Sequence, residues 1–453
     1  MQYITWEDLF VIFLSRIDQP FSVIRFHLQS QTHQNTENAA FIYTSGMPSQ
    51  TTHSCEKDAM KAVVLDPDLT GKVILITGGT GGIGAELVVH LSHLQHAPAR
   101  IIFTGRNITS ANAVIERSRA GAAPSPAGPE ISFIPMDLSS LESVSTASTQ
   151  ILALLQGDAV QGSTGRLDIL LANAGIMATP PGLSPDGYEI QFATNHLGHA
   201  LLIRKLMPLM LETAAAHISS DVRIVVTSST GWRLGKMDDF PFEQLAKGDL
   251  FEGKTFFAKS LRYGNSKLAN LVYARELAAR FGDGVAISGV TVTTTTTTVA
   301  VAASGGGSGG GPDIDTTNDS TGDANGGNDI HQQVNSQVPA IIGEGRTTKT
   351  GKGILSLSIH PGVVGTGLVN DLPWADKALI YASQMGNLLT PEEGIRNHLW
   401  AITAPRDVIV PGAYYEPVGK LWSKSWSRQI DKKDPDLGRK MWEWTEEQLQ
   451  RWL

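Results

Sequence analysis

The feature that most constrains the fold of this chain is the segment 73–84, which reads VILITGGTGGIG. A short β-branched apolar run leads directly into a glycine cluster, and apolar residues then recur with helical spacing at positions 87, 88, 91 and 94. Glycines let a backbone approach a pyrophosphate closely, and the N-terminus of the following helix presents free N–H groups to the anion. The order of strand, turn and helix therefore predicts a dinucleotide-binding turn.

The glycine spacing within this turn fits several patterns at once and does not fix a subfamily. Gly79, Gly81 and Gly84 satisfy one dinucleotide-binding spacing, while Gly78 and Gly82 combine with Gly84 in another. A glycine-rich loop in front of a buried helix is the alternative interpretation. The adjoining strand and helix favour the dinucleotide-binding turn over that alternative.

Apolar runs of strand length alternate with helix-length segments along most of the chain. This alternation is typical of parallel βαβ units, so we expect an α/β fold: a Rossmann-like, doubly wound parallel sheet in a single domain. The predicted strands are 73–76, 101–103, 131–134, 167–171, 222–226 and 354–359. The predicted helices include 85–94, 139–156, 187–214 and 263–281.

A low-complexity segment at about 285–352 interrupts the alternation. It holds six consecutive threonines at 293–298 and the sequence SGGGSGGG at 304–311, followed mostly by Asp, Asn, Gly, Thr and Gln. Such a composition buries too little apolar surface to offset its ordering entropy. We predict a disordered insertion within a domain that spans 71–453. A retained intron or a gene-model error is the open alternative.

Composition narrows the class of protein. The 453 residues are 41% apolar and carry a net charge of −8, so the chain can build a core and has no global basic field for nucleic acid. Cys55 is the single cysteine of the sequence, which excludes an intrachain disulfide and a cysteine-based zinc site. A cytoplasmic location fits this composition, and a small-molecule substrate is the expected partner.

The first 70 residues are expected to form a partly disordered extension. The longest apolar run there is Leu9–Leu14, which follows Glu7 and Asp8 and is too short for a membrane span or a secretory signal. We therefore expect no transmembrane segment. An interfacial helix at 5–17, which would allow weak membrane-surface association, is the open alternative.

The end of the second predicted strand bears on the choice of cofactor. An acidic residue there would accept the ribose 2'-hydroxyl of NAD. The sequence instead reads Phe103-Thr104-Gly105-Arg106-Asn107. The planar guanidinium of Arg106 would pair with a 2'-phosphate, so this position favours NADP. An ordinary surface arginine is the alternative.

Tyr263 and Lys267 lie four residues apart in a predicted helix and so share one face. A phenol is a poor acid–base catalyst at neutral pH, but a neighbouring ammonium favours the phenolate and lowers the phenol's pKa. A Tyr-x-x-x-Lys pair arises easily by chance. The pair therefore indicates a catalytic site only in combination with the motifs around it.

With these motifs in order, the chain resembles the short-chain dehydrogenase/reductase family, and within it the retinol-dehydrogenase and WW-domain-oxidoreductase-like branch that is common among fungal paralogues. The resemblance covers about 71–283 and 354–450. The motifs that carry it are, in chain order, the turn 77–84, Asp137-Leu138, Asn173-Ala174-Gly175, Asn195-His196-Leu197-Gly198-His199, Ser228-Ser229, Tyr263 with Lys267, and Pro361-Gly362 with Thr366.

The resemblance implies a role for each matched residue. Tyr263 would be the general acid for carbonyl reduction or the base for alcohol oxidation, and Lys267 would lower its pKa and bind the nicotinamide ribose. Ser229, with Ser228 as second choice, would orient the substrate oxygen, and Asn195 would hold a water that links Lys267 to solvent. The implied cofactor-binding residues are Thr77, Gly78, Thr80, Gly82, Ile83, Gly84, Arg106, Asn107, Asp137, Leu138, Asn173, Ala174, Gly175, Tyr263, Lys267, Pro361, Gly362, Val364 and Thr366.

Together these implications predict an NADP(H)-dependent oxidoreductase that interconverts a carbonyl and an alcohol on a small, lipophilic substrate. The fungal branch suggests specialised metabolism as one setting, and a homo-oligomer fits the family. The competing hypothesis is a catalytically impaired NADP(H)-binding sensor or scaffold, which only the insertion favours. No metal site is expected, because the family motif explains His196 and His199 without one.

Two groups of aromatic residues have open interpretations. Six lie between the serine pair and Tyr263, namely Trp232, Phe240, Phe242, Phe251, Phe256 and Phe257. They form either a lipophilic wall over the substrate or the packing of a small subdomain. Three lie in a charged helical tail, namely Trp442, Trp444 and Trp452. This tail is expected to cap the core, with a substrate-pocket or dimer role as the alternative.

Overall fold

Eight β-strands of the described residues form one sheet in the computed structural model of this chain. The structure describes residues 67–120, 128–157, 165–216, 220–248, 250–251, 258–285, 352–370, 377, 388–422 and 430–453. The strands are β1 (Val73–Ile76), β2 (Arg100–Gly105), β3 (Glu130–Pro135), β4 (Ile169–Ala172), β5 (Arg223–Thr227), β6 (Leu355–Ile359), β7 (Tyr414–Glu416) and β8 (Lys420–Leu421). Their order is β3-β2-β1-β4-β5-β6-β7-β8, and all pairs are parallel except β7 with β8.

The strand order reverses at β1. From there the chain first builds β2 and β3 outward on one side, and it then returns to place β4 on the other side. The carboxyl ends of β1 and β4 therefore flank the switch point of the sheet, which is where open α/β sheets bind their ligands. This topology confirms the predicted Rossmann-like, doubly wound parallel sheet.

Helices cover both faces of the sheet. They are α1 (Gly82–Ser92), α2 (Ile108–Ala120), α3 (Leu141–Gly157), α4 (Ile190–Phe192), α5 (Gly198–Ala216), α6 (Ala258–Phe281), α7 (Gly367–Asn370), α8 (Pro391–Gly394), α9 (Arg396–Thr403) and α10 (Leu437–Leu449). Short 3₁₀ helices lie at Thr230–Leu234, Phe242–Gln244, Arg406–Val408 and Gln450–Trp452. Helices α3, α5, α6 and α10 pack in one apolar core, and α1, α2 and α9 pack in the other.

Alternate residues of β1 enter the two cores. Val73 and Leu75 pack in the first core, while Ile74 and Ile76 pack in the second. Strand side chains alternate between the faces of a sheet, so a strand that is covered on both faces must be apolar throughout. This requirement explains the uninterrupted apolar run of β1.

All six predicted strands are present, and their predicted ends lie within two residues of the observed ones. The predicted helix 187–214 is not continuous, because a π-helical turn at Ala193–Leu197 separates α4 from α5. Strands β7 and β8 and helix α2 have no counterpart in the sequence prediction. The two strands span only three and two residues, too few to show a period.

The two flanks of the segment 286–351 meet in the fold. Strands β5 and β6, which lie on either side of it in sequence, pair over five residues. The N–H groups of Gly353 and Ile354 donate to Asp283 Oδ1 and to the Phe281 carbonyl oxygen, each at 2.7 Å. The chain therefore leaves the end of α6 and returns to the start of β6 at neighbouring points.

Several sequence predictions concern residues outside the described ranges. The predicted extension is described only from Pro67 onward, and the predicted insertion only at its two ends. The interfacial helix considered at 5–17 also lies outside the described residues. In the ranges that the structure does describe, no helix is both long and apolar enough to cross a bilayer. The cytoplasmic location and the homo-oligomer stay predictions.

Removing 286–351 and joining Val285 to Lys352 through a short glycine linker is expected to leave the fold intact. The flanks are already hydrogen-bonded to each other, and each halving of a connection lowers its closure cost by about 0.6 kcal/mol. Calorimetry should therefore give a Tm equal to or above that of the full chain. An insoluble product, or a clearly lower Tm, would show that the removed segment contributes to the packed core.

Candidate active site

The glycine turn between β1 and α1 has the geometry that a pyrophosphate requires. Gly78 and Gly82 have positive φ angles of 69° and 52°, a region that favours glycine. Gly84 has no room for a side chain, since an added Cβ would lie 2.3 Å from the Gly78 carbonyl oxygen. Gly81 is exposed, with no atom within 4 Å of an added Cβ. The inner side of the turn is therefore closely packed, while its outer side is open to solvent at Gly81. A site that binds an anion at a helix N-terminus needs this arrangement.

The hydroxyl of Thr77, the last residue before the turn, ties β1 to the segment after β4. Its oxygen accepts hydrogen bonds from the N–H groups of Asn173 and Ala174, at 2.9 and 3.0 Å. The Asn173 side-chain amide donates in turn to the Thr77 carbonyl oxygen, at 2.9 Å. An added Cβ at Gly78 would lie 2.9 Å from the Ala174 Cβ. The segment after β4 therefore supports the turn directly.

Arg106 and Asn107 lie exposed at the end of β2. An added Cβ at Gly105 would meet Thr80 Cγ2 at 2.6 Å, so Thr80 of the turn packs against this end of the strand. The side-chain oxygen of Asn107 accepts from the N–H of Ser110 at 3.0 Å, at the start of α2. The structure thus brings this pair next to the turn, and the contact of Arg106 with a 2'-phosphate stays a prediction.

The segment after β3 holds Asp137 and Leu138 near the start of α5. Asp137 Oδ1 accepts from the N–H and from the hydroxyl of Ser139, at 2.9 and 2.7 Å. An added Cβ at Gly198 would lie 2.3 Å from the Leu138 carbonyl oxygen. Ser139 therefore orients the half-buried carboxylate for which the sequence predicts an adenine contact.

Asn195 lies in the π-helical turn between α4 and α5. Its side-chain oxygen accepts from the N–H of Ile176 at 2.8 Å, and its amide donates to the Ile176 carbonyl and to Ser266 Oγ, both at 2.9 Å. An added Cβ at Gly175 would lie 3.1 Å from Asn195 Oδ1 and 3.3 Å from Lys267 Nζ. Because protein groups occupy the amide, the implied water would have to meet the main-chain carbonyl of Asn195.

The two serines after β5 make different contacts. Ser228 is buried and donates its hydroxyl to the Lys267 carbonyl oxygen at 2.7 Å. Ser229 accepts from the N–H of Gly231 at 3.1 Å, and its side chain lies near enough to Tyr263 to act on the pKa of that residue. An added Cβ at Gly231 would lie 3.0 Å from Tyr263 Cε1, so this glycine lets the ring approach the loop. The geometry favours Ser229 over Ser228 as the candidate catalytic serine.

The pKa of Tyr263 corrects a sequence expectation. Burial raises it to about 12, and the hydrogen bond with Ser229 is what acts to lower it. Lys267 Nζ lies 5.7 Å from the Tyr263 ring centroid and donates to the Thr227 carbonyl oxygen at 3.0 Å. Burial lowers the pKa of Lys267 to about 8. The predicted lowering of the Tyr263 pKa by Lys267 is wrong for the protein alone, because the ammonium points at a strand carbonyl and burial penalises both charged forms.

The segment after β6 reaches the glycine turn. Gly362 has a φ of 91°, and an added Cβ there would lie 2.4 Å from Leu389 Cδ1. Val364 forms a parallel bridge with Leu389. Thr366 Cγ2 lies 3.2 Å from the position of an added Cβ at Gly82. The structure therefore brings Thr366 to the turn and Val364 to Gly394, beside Ile83 at the start of α1. The cofactor contacts of Pro361 and Gly362, in the same segment, stay predictions.

Each ring nitrogen of the two histidines in the π-turn region contacts a protein oxygen. The contacts are His196 Nδ1 with Asn270 Oδ1 (3.4 Å), His196 Nε2 with Thr445 Oγ1 (3.0 Å), His199 Nδ1 with the Asn195 carbonyl (3.0 Å) and His199 Nε2 with Thr77 Oγ1 (2.8 Å). Burial lowers the pKa of His196 to about 3 and that of His199 to about 4. Both rings are therefore neutral at physiological pH and serve as internal hydrogen-bonding groups.

The described aromatic residues before α6 pack in or against the first core. The rings of Phe240 and Phe242 lie 4.8 Å apart, and Phe242 lies 5.7 Å from Trp444 of α10. Trp232 is buried and meets a tyrosine of β7 edge-on. Two of the six lie outside the described residues, namely Phe256 and Phe257. Packing is therefore the better supported of the two interpretations.

Helix α10 caps the first core, as the sequence predicts. Trp442 is buried and stacks on Tyr273 of α6, with ring centroids 5.2 Å apart and an interplanar angle of 14°. Trp444 contacts Phe192 of α4 edge-on at 5.8 Å. These contacts join the C-terminal helix to the helices that carry the site.

Three residues beside the site have no counterpart in the sequence prediction, namely Arg262, Gly264 and Gly231. Arg262 is fully buried directly before Tyr263. Gly264 directly follows Tyr263, and an added Cβ would lie 2.9 Å from the Gly231 carbonyl and from the Gly235 N–H nitrogen. These glycines let α6 touch the 3₁₀ helix after the serine pair. The sequence did contain a signal for Gly264: it is a glycine inside a predicted helix, where glycine normally lowers helix stability.

Comparisons with known proteins find similarities over parts of this chain. A family model described as short chain dehydrogenase matches residues 72–236. The chain is 35% identical over 212 residues to oxidoreductase calI of Penicillium decumbens, which covers 47% of this chain and 54% of that protein. It is 34% identical over 222 residues to retinol dehydrogenase 14 of Mus musculus, which covers 48% and 58% respectively. The chain thus spans little more than half the length of these two relatives.

Other similarities extend over more of the chain. A short-chain dehydrogenase/reductase of Armillaria gallica is 27% identical over 387 residues, which covers 84% of this chain and 91% of that protein. Among solved structures, the NADPH-bound carbonyl reductase from chicken fatty liver is 18% identical and covers 78% of this chain and 100% of that one, with a TM-score of 0.45.

Replacing Lys267 with Met is expected to stabilise the cofactor-free protein at pH 7. Burial lowers the pKa of Lys267 to about 8 from its usual 10.5, so the folded state bears the cost of the buried charge below pH 8. At about 1.4 kcal/mol per pKa unit, that cost is about 3 kcal/mol. It fades between pH 8 and 10.5, where the folded state has released the proton and the unfolded state still binds it.

Denaturant titrations at pH 7 and pH 10 measure this difference. The variant should be the more stable protein at pH 7, and its advantage should shrink at pH 10. A variant less stable than the wild type at pH 7 would show that the bond from Lys267 to Thr227 outweighs the desolvation of the charge.

Proposed function

We propose that this chain, which belongs to the short-chain dehydrogenase/reductase family, is an NADP(H)-dependent oxidoreductase that interconverts a carbonyl and an alcohol on a small, lipophilic substrate. One observation carries the proposal: Ser229, Tyr263, Lys267 and Asn195 converge at the carboxyl edge of the sheet, close to the glycine turn. Acid–base groups beside a dinucleotide-binding turn are what hydride-transfer chemistry requires.

Protonation of the site favours Tyr263 as an acid. With a pKa near 12, Tyr263 keeps its proton at neutral pH and can give it to the oxygen of a carbonyl that is being reduced. The Ser229 oxygen accepts the N–H of Gly231, which leaves its hydroxyl proton for Tyr263 or for the substrate oxygen. Alcohol oxidation needs the Tyr263 phenolate.

The described residues fit a nicotinamide dinucleotide. An added Cβ at Gly78 or Gly84 would clash with neighbouring atoms, so only backbone atoms line the inner side of the turn. Close approach of a pyrophosphate requires such a backbone surface. When bound, the cofactor supplies or accepts the hydride. Asp137 would contact the adenine side, Lys267 the nicotinamide ribose and Thr366 the carboxamide.

Two observations support the finer parts of the proposal. At the end of β2, Arg106 stands exposed where an NAD-binding chain would present an acid, which favours NADP(H). Two relatives are named retinol dehydrogenases, so proteins of similar sequence act on a lipophilic alcohol. The described aromatic residues before α6 do not support a lipophilic substrate, because they pack in or against the first core.

The competing sensor or scaffold function has no observation in its favour. It rested on the insertion, but β5 and β6 pair across that segment. Ser229 and Tyr263 both lie beside Gly231. Catalysis is therefore the proposal that the geometry supports best.

Replacing Tyr263 with Phe is expected to abolish turnover without affecting cofactor binding. Loss of the general acid should lower kcat by about 100-fold or more. The assay follows NADPH oxidation with a panel of lipophilic aryl ketones and aldehydes, and fluorescence titration follows NADPH binding. Tyr273→Phe is the matched control, since Tyr273 is a buried tyrosine of the same helix that stacks on Trp442.

The control variant should turn over like the wild type. Wild-type turnover in the Tyr263 variant would contradict the acid role. A wild-type protein that binds NADPH and reduces none of the carbonyls would instead favour the sensor.

Replacing Arg106 with Ala is expected to weaken NADPH binding by about 10- to 100-fold, because a charge-assisted contact to the 2'-phosphate is lost. NADH, which lacks that phosphate, should bind the variant and the wild type alike. Arg119→Ala, at an exposed arginine of α2, is the control and should change neither affinity. Equal NADPH affinity in the Arg106 variant and the wild type would remove the argument for NADP(H).

A further inference from the structure

A buried ion pair lies directly beside Tyr263 and has no part in the chemistry derived above. The side chains of Arg262 and Glu189 are 0% and 1% exposed, and Arg262 Nε lies 3.3 Å from Glu189 Oε1. Burial raises the pKa of Glu189, and the adjacent guanidinium opposes that rise. Removing two charges from water is expensive, and a buried ion pair is often no more stabilising than apolar residues of similar size. Stability alone therefore does not explain why this position holds an arginine.

The guanidinium of Arg262 joins three segments of the chain. One terminal nitrogen donates to the Leu250 carbonyl oxygen at 3.2 Å, and the other donates to the Thr179 carbonyl oxygen at 3.0 Å. Leu250 belongs to the segment between Ser229 and α6, and Thr179 belongs to the loop after β4. Glu189, the third partner, caps the start of α4 by accepting from its main chain. A guanidinium presents its donors in a rigid planar fork and so holds acceptors of two segments at fixed positions, whereas the donors of an ammonium rotate on a flexible stem.

The same segments are joined by main-chain hydrogen bonds. The N–H of Gly182 donates to the Gly248 carbonyl at 3.0 Å, and the N–H of Glu189 donates to the Leu245 carbonyl at 2.7 Å. An added Cβ at Gly248 would lie 2.8 Å from the Gly182 carbonyl carbon, so the two loops touch. We name these two loops, residues 176–183 and the described residues 240–248 and 250–251, the substrate-side wall.

The substrate-side wall begins at the reacting groups. Ile176, at its start, bonds the side chain of Asn195, and Thr179 bonds Arg262 next to Tyr263. The wall follows the carboxyl end of β4, which is the side of an open α/β sheet where ligands bind. Its position relative to Tyr263 therefore determines where a substrate can lie.

We propose that Arg262 is a positioning residue: its buried guanidinium fastens both loops of the substrate-side wall to one point beside Tyr263, so that the substrate meets a preformed surface. This inference rests on the proposed carbonyl reductase function. It assigns to Arg262 a part in substrate binding and none in proton transfer or in cofactor binding.

The chain offers a matched control at the opposite edge of the sheet. Arg223, at the start of β5, is also buried and paired with a carboxylate, that of Asp221. It donates to two main-chain carbonyls as well, those of Ala401 at 2.9 Å and Ala404 at 2.7 Å. Arg223→Lys should therefore disturb stability as Arg262→Lys does, without touching the substrate-side wall.

Three variants test the proposal: Arg262→Lys, Arg223→Lys and the double variant Glu189→Gln/Arg262→Met. The double variant removes both charges and keeps a side-chain oxygen at position 189 to cap α4. Because no unpaired charge is left buried, it remains testable if an unpaired charge prevents a single variant from folding. Hydrogen–deuterium exchange of the wall, NADPH titration, and KM and kcat for para-nitrobenzaldehyde and bulkier aryl ketones are measured in each.

In Arg262→Lys and in the double variant, we expect amide exchange in the wall to be about tenfold faster and the carbonyl KM to rise about tenfold. The kcat should change less, and NADPH affinity should stay within about twofold of the wild type, because the glycine turn is not touched. Arg223→Lys should show neither the faster wall exchange nor the higher KM.

Wild-type exchange and KM in Arg262→Lys would overturn the proposal. Equal changes in Arg262→Lys and Arg223→Lys would also overturn it, since they would indicate a general loss of stability. If the wild type binds NADPH but reduces no carbonyl, the proposed function fails and the exchange comparison decides alone. Faster exchange confined to the wall in Arg262→Lys would then still support the fastening role, and unchanged exchange would refute it.

Discussion

Helix α6 is fastened to the end of β5 by hydrogen bonds, and the geometry of the site depends on this attachment. The Thr227 carbonyl accepts from Lys267 Nζ at 3.0 Å and from Asn270 Nδ2 at 3.1 Å, while Ser228 Oγ donates to the Lys267 carbonyl at 2.7 Å. Donors one helical turn apart meet the same strand end, so the rotation and the height of α6 are both fixed. Tyr263, one turn earlier, is thereby held against the loop after β5.

A second set of contacts links the glycine turn to the π-helical turn. The Thr77 hydroxyl oxygen accepts two main-chain N–H groups, so its own proton is directed to His199 Nε2, 2.8 Å away. His199 then carries its proton on Nδ1, which donates to the Asn195 carbonyl at 3.0 Å, and burial keeps the ring neutral. One hydrogen-bonded path therefore positions both the proposed cofactor cradle and the proposed proton-transfer groups.

The sequence predicted those features that arise from local pattern or uniform burial. The continuous apolar run of β1, the glycine turn and the Tyr263–Lys267 spacing are of this kind. The pKa of Tyr263 could not be read from that spacing, because the direction of Lys267 depends on the Thr227 carbonyl, which is distant in sequence. Ser228 and Ser229 are identical neighbours, and only the groups packed around them tell them apart. The joining of distant loops by a buried arginine leaves no periodic signal at all.

Isotope transfer tests the central claim most directly. NADPH that carries deuterium on one or the other face of its reactive nicotinamide carbon is incubated with the protein and a panel of lipophilic aryl ketones and aldehydes, and the alcohols are analysed by mass spectrometry. Hydride transfer at a single, fixed site predicts that the deuterium of one face, and not of the other, appears on carbon in the alcohol. If a protein that binds NADPH forms no alcohol, or forms it without deuterium from either face, the account of this site as an oxidoreductase centre is contradicted.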